Sequence, residues 1–90
     1  MIINRERMAY VSSAGPASYA SGGFGVNVYD LRKVLHVISV KAVNSGYLPV
    51  VASTSGNRVT IKVFDTTTGD EVANGTNLSS KTFEIIATGF

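Results

Sequence analysis

The stretch Arg58-Val59-Thr60-Ile61-Lys62-Val63-Phe64 decides the fold of this 90-residue chain. Its valine and isoleucine residues occupy every second position. Because successive side chains of a β-strand point to opposite faces, this spacing predicts a strand that buries one apolar face.

The same two-residue period recurs on both sides of that stretch. We predict further strands in Phe24–Tyr29, Val34–Val43 and Thr82–Thr88, weaker ones in Met8–Ser12 and Tyr47–Ala52, and a short one near Glu71–Ala73. The Val34–Val43 run is apolar on both faces in its first half, which is typical of a central strand. Pro49 lies within a strand-like segment and favours an edge position for it, because proline donates no hydrogen bond to a neighbouring strand.

Turn signals separate these runs and complete the prediction of the fold. Asn44-Ser45-Gly46, Ser55-Gly56-Asn57 and Thr68-Gly69-Asp70 are typical tight turns, and only Tyr29–Lys33 offers a helical turn, with Asp30 as its cap. Such spacing predicts an all-β fold: one antiparallel β-sandwich or barrel domain of about six to seven short strands over residues 1–90. The expected core is Val26, Val28, Val37, Val40, Val59, Ile61, Val63, Phe83 and Ile85.

Composition excludes several classes of protein. Without cysteine, the chain has neither a disulfide framework nor a cysteine zinc site. Its net charge of +2 is spread along the sequence rather than gathered into a basic stripe, so we expect no nucleic-acid partner. No run approaches the roughly 20 apolar residues of a membrane-spanning helix, so we expect no membrane partner. Charged residues make up only 16%, which favours a surface partly covered by other chains. Residues Met1–Arg7 lack the long apolar stretch of a signal peptide, so we expect a protein made and assembled in a cytoplasm.

No residue pattern indicates catalysis. His36 is the only histidine and lies in an apolar run, which favours a structural role. Asp65, Asp70 and Glu71 bracket a turn but lack the density of a calcium loop. No serine has an evident base and orienting group. We therefore expect neither an enzyme nor a bound cofactor or metal.

The segment Ser12–Gly23 is rich in glycine, serine and alanine, and Tyr19 is its one large side chain. Two interpretations remain open. The segment is either an ordinary surface loop or an arm that becomes ordered against a neighbouring subunit, with Tyr19 as its anchor.

The second half of the chain resembles a known group of proteins. The motifs are Gly46-Tyr47-Leu48-Pro49-Val50-Val51, Ser55-Gly56-Asn57-Arg58-Val59-Thr60-Ile61-Lys62-Val63, Gly75-Thr76-Asn77-Leu78-Ser79 and Thr82-Phe83-Glu84-Ile85-Ile86-Ala87-Thr88-Gly89. Together they resemble small β-sandwich virion proteins of tailed phages and archaeal tailed viruses, over roughly residues 24–89.

The resemblance implies a structural virion protein, most simply a capsid decoration or minor capsid protein that stabilises the viral shell. It implies partners among the major capsid protein or other virion subunits, and a homo-oligomer, with a trimer favoured over other rings. Met1–Arg7 and Ser12–Gly23 would then be arms. The candidate contact residues are Ile2, Ile3, Arg5, Arg7, Tyr10, Pro16, Tyr19 and Phe24.

One rival function stays open at this point. A tail or adhesion module that binds carbohydrate would need an aromatic platform on one rim of the domain. Its aromatic residues would be Tyr10, Tyr19, Tyr29 and Tyr47.

Overall fold

The computed structural model describes residues 6–90, which form six β-strands and no helix. The strands are β1 (Arg7–Ala14), β2 (Phe24–Asn27), β3 (Val34–Ala42), β4 (Tyr47–Ser55), β5 (Arg58–Asp65) and β6 (Thr82–Gly89). The prediction of a small all-β fold is confirmed. The segment near Glu71 contributes only a single bridge, with Phe64, in place of a strand.

The strands form two antiparallel three-stranded sheets, in the orders β1-β6-β3 and β2-β5-β4. The central strands, β5 and β6, have the most regular alternation of buried and less buried residues. Their buried sides enclose one core. Phe24 on one sheet and Phe83 on the other meet edge to face, with ring centroids 5.3 Å apart. The two sheets therefore form a sandwich.

Seven of the nine expected core residues are buried: Val26, Val28, Val59, Ile61, Val63, Phe83 and Ile85. The other two, Val37 and Val40, are only partly buried and pack against the core from its margin. Both belong to β3, whose position in the sheet explains the difference.

β3 is an edge strand, so the prediction that it is central was wrong. Two β-bulges interrupt its pairing with β6, one between Val34 and His36 and one between Val37 and Ser39. Each bulge inserts one extra residue, so inward-facing positions recur every third residue, at Val34, Val37 and Val40. The extra apolar residues of this strand are exposed to solvent, which explains why the run is apolar on both faces.

The remaining local predictions had mixed outcomes. β4 lies at an edge and contains Pro49, as expected. Gly56 has φ 58° in the two-residue β4–β5 hairpin, a conformation that glycine adopts without strain. Tyr29–Lys33 forms a turn rather than a helical turn, because the Leu31 N–H bonds to the carbonyl of Val28, three residues earlier, and no helical bonds follow.

Candidate interaction surface

The outer side of the β1-β6-β3 sheet carries a row of apolar residues. Tyr10 of β1 lies opposite Ile86 of β6, which lies opposite Ser39 of β3. The bulge places Ile38 beside Ser39 at the end of this row. Two residues before Tyr10 on β1, Met8 lies opposite Thr88 of β6 and begins a second row on the same outer side.

The apolar side chains of these rows are open to solvent. Met8 is 69% exposed, Tyr10 54% and Ile38 57%, while Leu35 is exposed and Ile86 half-buried. We call Met8, Tyr10, Leu35, Ile38 and Ile86 the outer apolar patch. Exposed apolar side chains therefore lie on all three strands of this sheet, and such exposed apolar patches mark interaction sites on soluble proteins.

A carboxylate closes one end of the outer apolar patch. The Tyr10 hydroxyl donates a hydrogen bond to Oε2 of Glu84, and Lys41 Nζ lies 3.5 Å from Oε1 of the same group. The hydrogen bond to Glu84 raises the pKa of Tyr10. Both oxygens of Glu84 therefore have a partner within the domain.

The outer side of the β2-β5-β4 sheet carries two positive charges, whereas Lys41 and Glu84 on the other sheet pair with each other. Leu48 and Val50 of β4 are exposed, and Leu48 lies opposite Phe64. Leu48 borders an open cleft of ≈ 470 Å³, whose other lining residues are Phe64, Asp65, Thr66 and Gly69. Arg58 and Lys62 of β5 alternate with the buried positions of that strand and so lie on this outer side. The charges make it a less apolar surface than the outer apolar patch.

A second open cleft, of ≈ 550 Å³, lies where β1 begins. Its lining residues are Glu6, Arg7, Arg32 and Phe90. Arg7 Nη2 donates a 2.7 Å hydrogen bond to the carbonyl oxygen of Asp30, so this arginine already has a partner within the domain.

The structure places the candidate contact residues in different surroundings. Ile2, Ile3 and Arg5 lie outside the described residues. Arg7 and Tyr10 are exposed on β1, so Arg7 belongs to a strand rather than to the expected arm. Pro16 and Phe24 are half-buried in contacts with their own domain.

Tyr19 corrects the sequence interpretation most clearly. Its side chain is only 1% exposed, so it is a core residue and not a surface anchor. The hydroxyl donates a 2.6 Å hydrogen bond to Oε2 of Glu71 and accepts a 3.1 Å bond from the N–H of Val63. Burial, with a further contribution from Glu71, raises the pKa of Tyr19 to about 12.

The loop around Tyr19 is bound to its own domain over much of its length. Ser12–Ala14 belongs to β1. The carbonyl of Pro16 accepts from the N–H of Leu78 at 2.8 Å, and the Tyr19 N–H donates to the carbonyl of Thr76 at 2.8 Å. The Gly75 N–H in turn donates to the carbonyl of Tyr19 at 2.7 Å. The interpretation of this segment as a free arm was therefore wrong.

The described residues include no group of three His, Cys, Asp or Glu side chains that could hold a metal ion. Asp65 Oδ1 accepts the Thr67 N–H at 2.8 Å, and Glu71 holds the Tyr19 hydroxyl, so both acids stabilise turns and loops. His36 is exposed on β3 rather than packed among the apolar residues of its run. Residues 6–90 also contain no helix long and apolar enough to cross a bilayer.

The four tyrosines do not form a common platform. Tyr19 is buried, and Tyr47 packs against the core with Lys81 Nζ 5.7 Å from its ring centroid. Only Tyr10 and Tyr29 are exposed.

Comparison of the chain with protein-family models, curated proteins and solved structures found no match.

Sequence reasoning missed most of the outer apolar patch. It selected Tyr10 but not Met8, Leu35 or Ile38. A signal was present, because Val34, Val37 and Val40 recur at a spacing of three rather than two. Such spacing within a strand-like run indicates bulges, which turn additional residues outward.

Proposed function

We propose that the protein is a structural component of a virus particle, a capsid decoration or minor capsid protein that binds and stabilises the viral shell. The observation that carries this proposal is the outer apolar patch. There Tyr10 of β1, Ile86 of β6 and Ile38 of β3 place apolar side chains on each of the three strands of one sheet. The patch supports docking onto another protein, and the sequence resemblance supports a viral shell as that protein.

The chemistry of the patch defines the surface that it would bind. At the border of the patch, Lys41 and Glu84 form an ion pair with each other, so both charges are already paired within the domain. A complementary surface would therefore be apolar and weakly charged, as subunit contacts in an obligate assembly are. The proposed partner is the major capsid protein or another virion subunit, met during assembly in the host cytoplasm.

The role needs no catalysis. Burial of apolar area drives association by itself, and truncation of a central contact residue typically costs about 2 kcal/mol or more. Tyr10 and Ile38 occupy the central row of the patch, so they are the expected main contacts.

Co-sedimentation of the purified protein with particles of the source virus tests the proposal. We expect Ile38→Lys to weaken binding by about tenfold or more, because it places a charge in the apolar contact. Leu48→Lys is the matched control: Leu48 is 54% exposed, similar to Ile38, but lies on the other sheet. We expect it to bind as the parent does.

Three outcomes would contradict this proposal. The parent protein fails to bind particles, or Ile38→Lys binds as tightly as the parent, or the two variants lose binding equally. Circular dichroism of each variant verifies that a loss of binding is not a loss of folding.

A further inference from the structure

The two sheets have four edge strands, and three of them carry features that hinder pairing with another strand. β2 has only four residues. β3 contains two bulges, and β4 contains one bulge as well as Pro49. Short edge strands, bulges and proline are the means by which proteins prevent edge-to-edge association.

β1 has none of these features. Its eight residues pair with β6 without a register shift, from Arg7 opposite Gly89 to Ala14 opposite Thr82. Five of the eight are exposed, whereas β6 has no exposed residue. Within the part of the chain that the structure describes, β1 pairs with no strand on its other side. The backbone N–H and C=O groups of every second residue of β1, those that point away from β6, are therefore available along this edge.

We propose that β1 pairs edge to edge with β1 of a second copy of this chain, antiparallel and about a two-fold axis at Tyr10, so that the two Tyr10 residues lie opposite each other. The two three-stranded sheets then become one continuous six-stranded sheet. In this register Arg7 lies opposite Ser13 of the second copy, and the outward-pointing backbone groups of the two strands bond to each other.

Charge and symmetry favour a second copy as the occupant. Arg7 is the only charged residue of β1 and lies at one end of it. Antiparallel pairing separates the two Arg7 side chains by about 20 Å, at the rise of a β-strand, whereas a parallel arrangement would set them side by side. A head-to-tail ring would need β1 to pair with a different edge strand, and the shortness of β2, the bulges of β3 and the bulge and Pro49 of β4 each oppose such pairing.

The symmetry of this pairing differs from the threefold ring that the sequence led us to expect. A two-fold contact uses the same strand on both copies and closes at two subunits. It also places the two Tyr10 side chains on the same outer side, so the outer apolar patches become one surface. The inference rests only on the edges of the sheets and holds whether or not the protein binds a virus particle.

Sedimentation equilibrium of the purified protein over a wide range of concentration tests this inference. We expect a reversible monomer–dimer equilibrium. Tyr10→Lys should weaken dimerisation by about tenfold, because it removes an apolar contact at the seam and sets two like charges directly opposite each other. Ile38→Lys is the matched control, since Ile38 has similar exposure on the same sheet but lies on the bulged edge. It should dimerise within about twofold of the parent.

Amide hydrogen exchange of the parent protein provides a test that needs no variant. Amides of β1 that face away from β6 should gain protection as the protein concentration rises, and amides at the β3 edge should not. A parent that stays monomeric at all concentrations would overturn the inference. So would a dimer that protects the β3 edge, or one that Ile38→Lys weakens as much as Tyr10→Lys does.

Discussion

The hydroxyl of Tyr19 and the carboxylate of Glu71 are joined by a 2.6 Å hydrogen bond across 52 residues of sequence. Oε2 of Glu71 also accepts the N–H of Gly22 at 2.8 Å. The pairing of β2 with β5 ends at Ile61, so the hydroxyl takes the N–H of Val63 beyond the last pair. The side chains of Tyr19 and Glu71 therefore supply hydrogen bonds to the backbone beyond the point where β2 stops pairing with β5.

Removal of the Tyr19 hydroxyl should destabilise the fold. We expect Tyr19→Phe to lower the free energy of unfolding by about 1–3 kcal/mol, because it leaves the buried N–H of Val63 without a partner. Urea denaturation followed by circular dichroism measures this loss. Tyr29→Phe is the control, since Tyr29 is exposed, and it should change stability by less than about 0.5 kcal/mol. Equal stability of the two variants would contradict the role assigned to Tyr19.

Stability should decrease in acid, in part through Glu71. The hydrogen bonds from Tyr19 and then Gly22 hold the pKa of this carboxyl below its usual 4.5. As the pH falls through this range, the unfolded chain binds a proton before the folded one does, so the free energy of unfolding decreases. This contribution is fully present above the usual pKa and is lost once the pH falls below the folded-state pKa.

Glu71→Gln tests that pH dependence directly. Urea unfolding of the parent and the variant should be compared at several pH values on either side of 4.5. The variant should be less sensitive to acid, because glutamine has no proton to bind in this range. If both proteins lose stability with the same slope, Glu71 does not contribute to the acid response.

Two adjacent glycines provide a test of close backbone packing. Gly22 and Gly23 both have positive φ, 99° and 115°. A Cβ at Gly23 would collide with the backbone of Ile61, whereas a Cβ at Gly22 would meet nothing within 4 Å. Both alanine variants bear the backbone strain, so we expect Gly23→Ala to be more destabilising than Gly22→Ala, by about 1–3 kcal/mol. Equal urea midpoints for the two variants would show that the backbone near Gly23 accommodates a Cβ with no loss of stability, which would contradict this prediction.

The contact between the two sheets depends strongly on Phe83. It is fully buried and meets Phe24 edge to face. We expect Phe83→Ala to lower the free energy of unfolding by about 3–5 kcal/mol, a large part of the roughly 5–15 kcal/mol of a small domain. Ile38→Ala, at an exposed site, should cost less than about 0.5 kcal/mol. An unchanged melting temperature for Phe83→Ala would contradict the assigned core.

The sequence predicted the central strands well because their environment is simple. β5 and β6 have one neighbour on each side and one face in the core, so burial alternates with every residue. The edge strand β3 follows no such rule. Its bulges shift the period from two to three, and its exposed Leu35 and Ile38 look like core residues in the sequence alone.

The role of Tyr19 could not be predicted for a different reason. A single aromatic residue among glycines and serines has no periodicity that would reveal its face. Its partners, Glu71 and Val63, are 52 and 44 residues away, so only the folded chain brings them together. The same long-range packing turned the expected arm into a fixed loop.

Quantitative mass spectrometry of virus particles, purified by density gradient from cultures in which this chain is produced naturally, tests the central claim, a structural role in the virion, most directly. The account predicts peptides of this chain in the particle band, at a fixed ratio to the major capsid protein that survives repeated purification. When intact particles are treated with protease, the segment that contains the patch residues Met8 and Tyr10 should remain uncleaved. Absence of the chain from purified particles, while it is abundant in the infected cells, would contradict the account.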